Sequence, residues 1–228
     1  MRVLGLVPAR GGSGRVARKN LARLGETTLV RRALETALAA GCFDLVVLSS
    51  DDDEILAEAG GLDVVALRRP AELATDTALA RDVALHALRE LDEPHGPFDA
   101  VAIVQCTSPF TAPEDVAGTV ALLEQSGAES VVTVARADAA HHPLKLKRLE
   151  GDRLLPYLED DHLAPSHQLP LLWVRNGSVY AFRRDVVERG LEADDVRGYE
   201  MPPERSFDID TARDLAFAEF LVDRGERS

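Results

Sequence analysis

The sequence predicts an α/β fold with a mostly parallel sheet and helices on both faces. Three observations point there. Short apolar runs alternate along the chain with stripes of helical period. Most of those runs lack strict polar alternation, as expected of strands covered on both sides. Third, 46% of the 228 residues are apolar, and that length suits one domain spanning 1–228 with a full core.

The elements follow in order. VLGLV (3–7), DLVVLSS (44–50), DVVAL (63–67), DAVAIVQ (99–105), SVVTVA (130–135) and SVYAF (178–182) read as strands. Leu29, Val30, Ala33, Leu34, Ala37 and Leu38 form one helical stripe, which Gly41 ends. A short helix runs from Ile55 to Ala59, and Val83, Ala87, Leu88 and Leu91 mark a third. Thr111 and Glu114, with Pro113 between them, read as the capping box of a fourth. Thr211 and Asp214 offer the same pattern before a last helix carrying Leu215, Ala218, Leu221 and Val222. The segment 135–170 breaks the rhythm: it is polar, contains prolines and holds His141, His142, His162 and His167. An excursion of that length inside a compact domain is expected to be an inserted arm, used for dimerisation or for closing a site.

The formal net charge of −13 argues against nucleic acid as a partner and against docking on an anionic membrane. Cys42 and Cys106, the two cysteines, lie far apart without metal-ligand spacing, so a reducing, cytoplasmic setting is expected. No apolar stretch is long enough to span a bilayer.

Against this acidic background GGSGRVARKN (11–20) stands out. Gly12, Gly14 and Ala17 formally match the dinucleotide fingerprint, but that fingerprint needs a helix at the glycines and an acid about twenty residues on. Here Arg31 and Arg32 occupy that region, inside a helix, and no Gly-Lys-Ser/Thr follows the glycines either. What remains is a flexible loop after the first strand. Its backbone N–H groups can surround an anion, and Arg10, Arg15, Arg18 and Lys19 can add charge; otherwise it is a solvated loop balancing an acidic surface.

VPARGGSGRVARKN (7–20) resembles the signature loop of the acylneuraminate cytidylyltransferases, the CMP-sialic acid synthetase family. LSSDDDEI (48–55), RRPAELATD (68–76), QCTSPF (105–110), RNGSVYAF (175–182) and FDIDTARDL (207–215) fall in the family's order, so the resemblance runs nearly end to end. The first loop is less like that of the Kdo-activating enzymes. The resemblance implies a three-layer, Rossmann-like nucleotidyltransferase fold and a homodimer built through the 135–170 arm. It implies attack by the anomeric hydroxyl of a nine-carbon 2-keto sugar acid on the α-phosphorus of CTP, with Mg²⁺ assisting. Related chemistry on a Kdo-like sugar or a phosphonate, or CTP binding without turnover, are the alternatives.

Residue by residue, the resemblance places Ala9, Arg10, Gly11, Gly12, Ser13, Arg15, Lys19, Asn20 and Arg69 at the nucleotide, with Arg10, Lys19, Asp208 and Asp210 catalytic. Gln105, His167 and Asn176 fall to the sugar. Asp208 and Asp210 flank Ile209, so an extended strand turns both carboxylates to one side, where they suit Mg²⁺; acids before a helix also suit its N-terminus. Each sugar or base contact has a plain structural counterpart. Gln105 can hold backbone at a strand end, Arg69 can be surface charge, and Asn176-Gly177 reads as a turn. Ser49 and Asp51 end a strand and equally suit a cap for the helix that follows.

The chain also departs from the family pattern. Gly14-Arg15 stands where Lys-Gly is usual, so Arg15 is expected to replace the missing cation from one position on. Phe110-Thr111 replaces a Leu-Arg, and Ser166-His167-Gln168 stands where Arg is common.

Overall fold

The computed structural model describes residues 1–12, 16–158 and 165–225. In chain order these form β1 (Val3–Pro8), β2 (Arg23–Leu24), β3 (Thr27–Thr28), α1 (Leu29–Ala39), β4 (Leu45–Ser50), α2 (Asp53–Ala57) and β5 (Val65–Arg68). There follow α3 (Ala80–His95), β6 (Ala100–Val104), α4 (Pro113–Ser126), β7 (Ser130–Arg136), β8 (Lys147–Glu150) and β9 (Arg153–Pro156). The chain ends with β10 (Trp173–Arg183), α5 (Arg184–Glu188), β11 (Val196–Glu200) and α6 (Ala212–Asp223).

Seven strands make one sheet in the order β11-β7-β10-β6-β1-β4-β5. The pairs β1/β4, β1/β6, β4/β5 and β7/β11 are parallel, and β10 runs antiparallel between β6 and β7. This is the mostly parallel α/β sheet that the apolar runs predict.

Alternation along each strand sorts the core into two sides. Val7, Val46 and Leu48 point to α1, α4 and α6, where Leu29, Leu34, Val116 and Ala218 are buried. Leu4, Leu6 and Val47 point the other way, onto Val83, Leu88 and Leu91 of α3 and Val186 of α5. Each fully buried aliphatic side chain of this kind stabilises the fold by about 1.5–3 kcal/mol. On the second side the end of α3 is tied to α5 by Arg184, which donates to Asp92 at 2.6 and 2.9 Å. That guanidinium holds the Asp92 carboxyl below its ordinary value.

Two local expectations need correcting. Thr111 does not cap α4. Pro113 disfavours helical backbone in the residue before it, so Ala112 is extended (φ −91, ψ 156) and the helix starts one step later than the pattern suggests. The Asp115 carboxylate accepts the Ala112 N–H at 2.9 Å, while the Thr111 hydroxyl donates to the Ser108 carbonyl at 2.9 Å. Asn176-Gly177 is not a hairpin turn but sits inside β10, where the pairing with β7 shifts register between Arg175 and Tyr180 and Gly177 takes φ +81. The box at Thr211 and Asp214 forms as the spacing predicts.

The excursion leaves and rejoins the sheet at one point. Arg136 at the end of β7 pairs with Trp173 at the start of β10, and the Ala137 N–H donates to the Leu172 carbonyl at 2.8 Å. Between them β8 and β9 pair as a small hairpin. Cys42 and Cys106 are both free; burial pushes the Cys42 thiol up to about 11 and the Cys106 thiol up to about 12, so neither is primed as a nucleophile. No helix among the described residues is long and apolar enough to cross a membrane.

Candidate active site

In open parallel sheets ligands settle beyond the carboxyl ends of the strands. β1, β5 and β6 here end on one cavity of about 700 Å³, lined by Pro8, Arg10, Lys19, Asn20, Arg69, Gln105, Thr107 and Asp210 among others.

The loop after β1 is anchored from several directions. The Ala9 N–H donates to the Ser49 carbonyl at 3.0 Å, and the Gly11 N–H donates to Asp51 Oδ1 at 3.0 Å. A side chain at Gly11 would place its Cβ 2.8 Å from Asp52 Oδ2, so only glycine fits this approach. Asn20, nearly buried, donates its amide to the Arg10 carbonyl at 3.0 Å and so closes the loop on itself. The Arg10 guanidinium meets Asp76 at 2.6 Å. Ser13, Gly14 and Arg15 lie outside the described residues. Arg18 turns away from the cavity: its backbone is left-handed (φ 53) and its guanidinium pairs with Asp52 and Glu54 at 3.3 and 3.0 Å.

Lys19 joins the two ends of the sequence. Its ammonium donates to the Ile209 carbonyl at 2.6 Å and stands 3.7 Å from Asp210 Oδ1. The aspartates do not lie on a sheet strand as expected. They flank an extended segment pinned where the Ile209 N–H donates to the Thr107 carbonyl at 2.8 Å, with Ile209 fully buried. Desolvation raises the Asp208 carboxyl above its ordinary 3.8, and the nearby Asp210 charge pushes the same way; a hydrogen bond from Thr107 and the Lys19 charge oppose this. Upstream, Arg205 grips the fully buried Asp115 through two hydrogen bonds of 2.7 and 2.8 Å, which fixes how the aspartate segment leaves β11.

Arg69, and not its neighbour Arg68, belongs to the cavity. Arg68 pairs with Asp53 on the exposed side. The Arg69 side chain is 4% exposed, stands 3.8 Å from Asp51 and leaves its buried Nε without a hydrogen-bond partner. Burial holds this guanidinium below its ordinary range and nearby Arg10 adds to the effect, while Asp51 opposes it.

Two of the residues expected at the sugar are placed elsewhere. The Asn176 amide is spent inside the protein: it donates to Ser206 Oγ at 2.9 Å and contacts Met201 Sδ at 3.1 Å, and its Oδ1 accepts the Ser178 N–H at 3.3 Å. His167 is exposed on a short turn of the excursion and does not line the cavity. Gln105 does line it.

Other residues of the cavity carry no signal in the sequence. The cavity reaches Ala78, Ala80 and Val83, where α3 begins with Leu79 as its N-cap and no side chain capping it. A helix start of this kind adds partial positive charge. Thr107 and Asp76 line it as well; both stand within quoted motifs, and nothing in their spacing marks them as lining a cavity.

The description "cytidylyltransferase" belongs to the family model that matches residues 4–220. The chain is 30% identical over 226 residues to N-acylneuraminate cytidylyltransferase A of Danio rerio, covering 95% of this chain and 50% of that protein. It is 29% identical over 233 residues to the CMP-N,N'-diacetyllegionaminic acid synthase of Legionella pneumophila, covering 100% of this chain and 99% of that one. It therefore spans about half the length of the fish relative and nearly all of the bacterial one. Among solved structures, CMP:2-keto-3-deoxy-manno-octonic acid synthetase complexed with CTP superposes with a TM-score of 0.73 at 18% identity, over 99% of this chain and 100% of that one. At that identity the match shows the fold.

Proposed function

The chain belongs to the cytidylyltransferase family, and from that premise we propose that it transfers CMP from CTP to the anomeric hydroxyl of a sialic-acid-like, nine-carbon 2-keto sugar acid. The bond from the α-phosphorus to pyrophosphate breaks, a bond from that phosphorus to the anomeric oxygen forms, and the hydroxyl proton is lost. One observation carries the reading. Lys19, from the glycine-rich end, and Asp210, from the acidic end, meet on the wall of a single cavity.

The residues divide the work by charge. Arg10, Lys19 and Arg69, with the backbone N–H of Gly12 and the start of α3, face the polyphosphate. Fixed donors of this kind stabilise charge as it builds on the α-phosphate and the leaving group. Ala9 and Asn20 hold the loop, and Ser13 and Arg15 complete the set assigned to the nucleotide. Gln105, beyond the end of β6, is assigned to the sugar. His167 takes that role only if the excursion, or that of a second copy, carries it to the cavity; Asn176 is held inside β10 by its own hydrogen bonds.

Asp208 and Asp210 fit a divalent cation. They are two neighbouring carboxylates; burial first, and the Asp210 charge after it, raise the Asp208 carboxyl, and a cation would offset both. No group of three or more metal-ligating side chains occurs among the described residues. Two carboxylates with water and phosphate oxygens are the set Mg²⁺ takes. When bound, Mg²⁺ supplies positive charge to the phosphate oxygens. The excursion carries exposed Leu149, Leu154 and Tyr157, with exposed Trp173 at its stem, and we assign that surface to a second copy of this chain in a homodimer.

The test is pyrophosphate release with CTP, Mg²⁺ and a panel of sugar acids: N-acetylneuraminic, legionaminic, pseudaminic and Kdo. Release with CTP but not with other nucleoside triphosphates, and with a nine-carbon acid, supports the reading. Release with Kdo alone moves the substrate to an eight-carbon acid. Tight CTP binding without turnover on any acid makes the protein a nucleotide-binding regulator instead.

A further inference from the structure

Asp51 is the first residue beyond β4 and stands behind the cavity wall, not in it. The cap of α2 is its neighbour: Asp52 Oδ1 accepts the N–H groups of Glu54 and Ile55 at 2.8 and 3.2 Å. The Asp51 carboxylate is thus left for other work. Its Oδ1 accepts the Gly11 N–H at 3.0 Å and lies 3.8 Å from Arg69 Nη2. One carboxylate therefore links the loop after β1 to the loop after β5, and both loops line the cavity.

The need for that link is electrostatic. Arg69 is buried close to Arg10, and two cations side by side repel each other. Arg10 has a carboxylate from across the cavity mouth, Asp76, at 2.6 Å. Asp51 supplies the facing charge from behind Arg69. It also fixes Gly11, whose backbone has no side chain of its own to anchor it and whose approach to Asp52 leaves no room for one.

We propose that Asp51 is a positioning residue for the nucleotide: its carboxylate sets the Gly11 end of the loop and the Arg69 guanidinium in one shared geometry before CTP arrives. This rests on the cytidylyl-transfer reading above. Preorganised donors of that kind improve binding by lowering what must be ordered when the ligand enters.

Two variants separate the parts of the claim. Asp51→Asn keeps an oxygen for the Gly11 N–H but removes the charge facing Arg69. Asp51→Ala removes both. For each, CTP affinity is measured directly by titration, kcat and KM are measured where turnover exists, and backbone amide exchange is followed residue by residue. Asp51→Ala is expected to weaken CTP binding and raise its KM about tenfold or more, the scale of one lost hydrogen bond to a charged group, with kcat changed far less. The Gly11 amide should exchange faster while the amides of β1, β4 and β6 keep their protection. Asp51→Asn should restore most of the Gly11 protection and part of the affinity. The proposal is overturned if Asp51→Ala leaves CTP affinity and Gly11 exchange unchanged. It is equally overturned if protection falls throughout the sheet, since Asp51 is then only a structural support. Failure of the wild-type protein to bind CTP would count against the functional reading, whereas the Gly11 exchange would still report whether Asp51 holds the loop.

Discussion

Lys19 places its ammonium 2.6 Å from the Ile209 carbonyl oxygen and 3.7 Å from Asp210, so the basic loop and Asp210 share one wall. A polyphosphate held there would meet cations on one side and the Asp210 carboxylate on the other.

Replacing Asp210 by Asn keeps the size of the side chain and removes its charge. Turnover measured as Mg²⁺-dependent pyrophosphate release should fall by about a hundredfold or more, as expected when a charge-stabilising group is lost. Circular dichroism and melting should be unchanged, because Asp210 is exposed and the segment is pinned by Ile209 and Thr107. A variant with wild-type Mg²⁺-dependent rates removes Asp210 from the metal site.

Arg69 separates function from stability. It is buried with an unpartnered Nε, a state that costs folding energy. Arg69→Met removes the orphaned Nε but also the cation facing the partly exposed Asp51, so the two effects oppose and the melting temperature should change little. CTP affinity should fall about tenfold, the scale of one lost charged hydrogen bond. Equal CTP affinity in variant and wild type would show that Arg69 does not face the nucleotide.

The Asp92–Arg184 pair gives a dependence on pH. Arg184 holds the Asp92 carboxyl below its ordinary 3.8, so the folded state binds the proton less readily than the unfolded chain. The stability this contributes is complete above 3.8 and is lost as pH falls through the lower folded value. Denaturant titrations should show Asp92→Asn less stable than wild type at neutral pH, with the gap closing in acid. A gap that stays constant with pH would mean the ion pair is not its source.

The proposed dimer is tested at Leu154, which is 66% exposed on β9. Leu154→Glu should shift the protein from dimer to monomer in analytical ultracentrifugation without changing its circular dichroism. A monomeric wild type would refute the assignment outright.

Much of this fold is legible in the sequence because burial writes itself there. VLGLV, LVVLSS and AVAIV are apolar on both faces because helices cover both faces of β1, β4 and β6. VRGYE of β11 is mixed and mostly exposed at the sheet edge, so it carries no such signal. Within the site, Arg10, Lys19, Asn20, Arg69, Gln105 and Asp210 could be named from motifs, and all line the cavity. The start of α3 could not, because Leu79 and Ala80 give no capping signature. Nor could the direction of Arg18 or the internal bonds of Asn176, since partners distant in sequence decide both.

The neck of the excursion has a wider consequence. Because Ala137 and Leu172 close it with one backbone hydrogen bond at adjoining strand ends, everything beyond is a cassette on a short stem. A change in the length of that segment can be absorbed beyond the stem, without altering the register in which β7 and β10 pair.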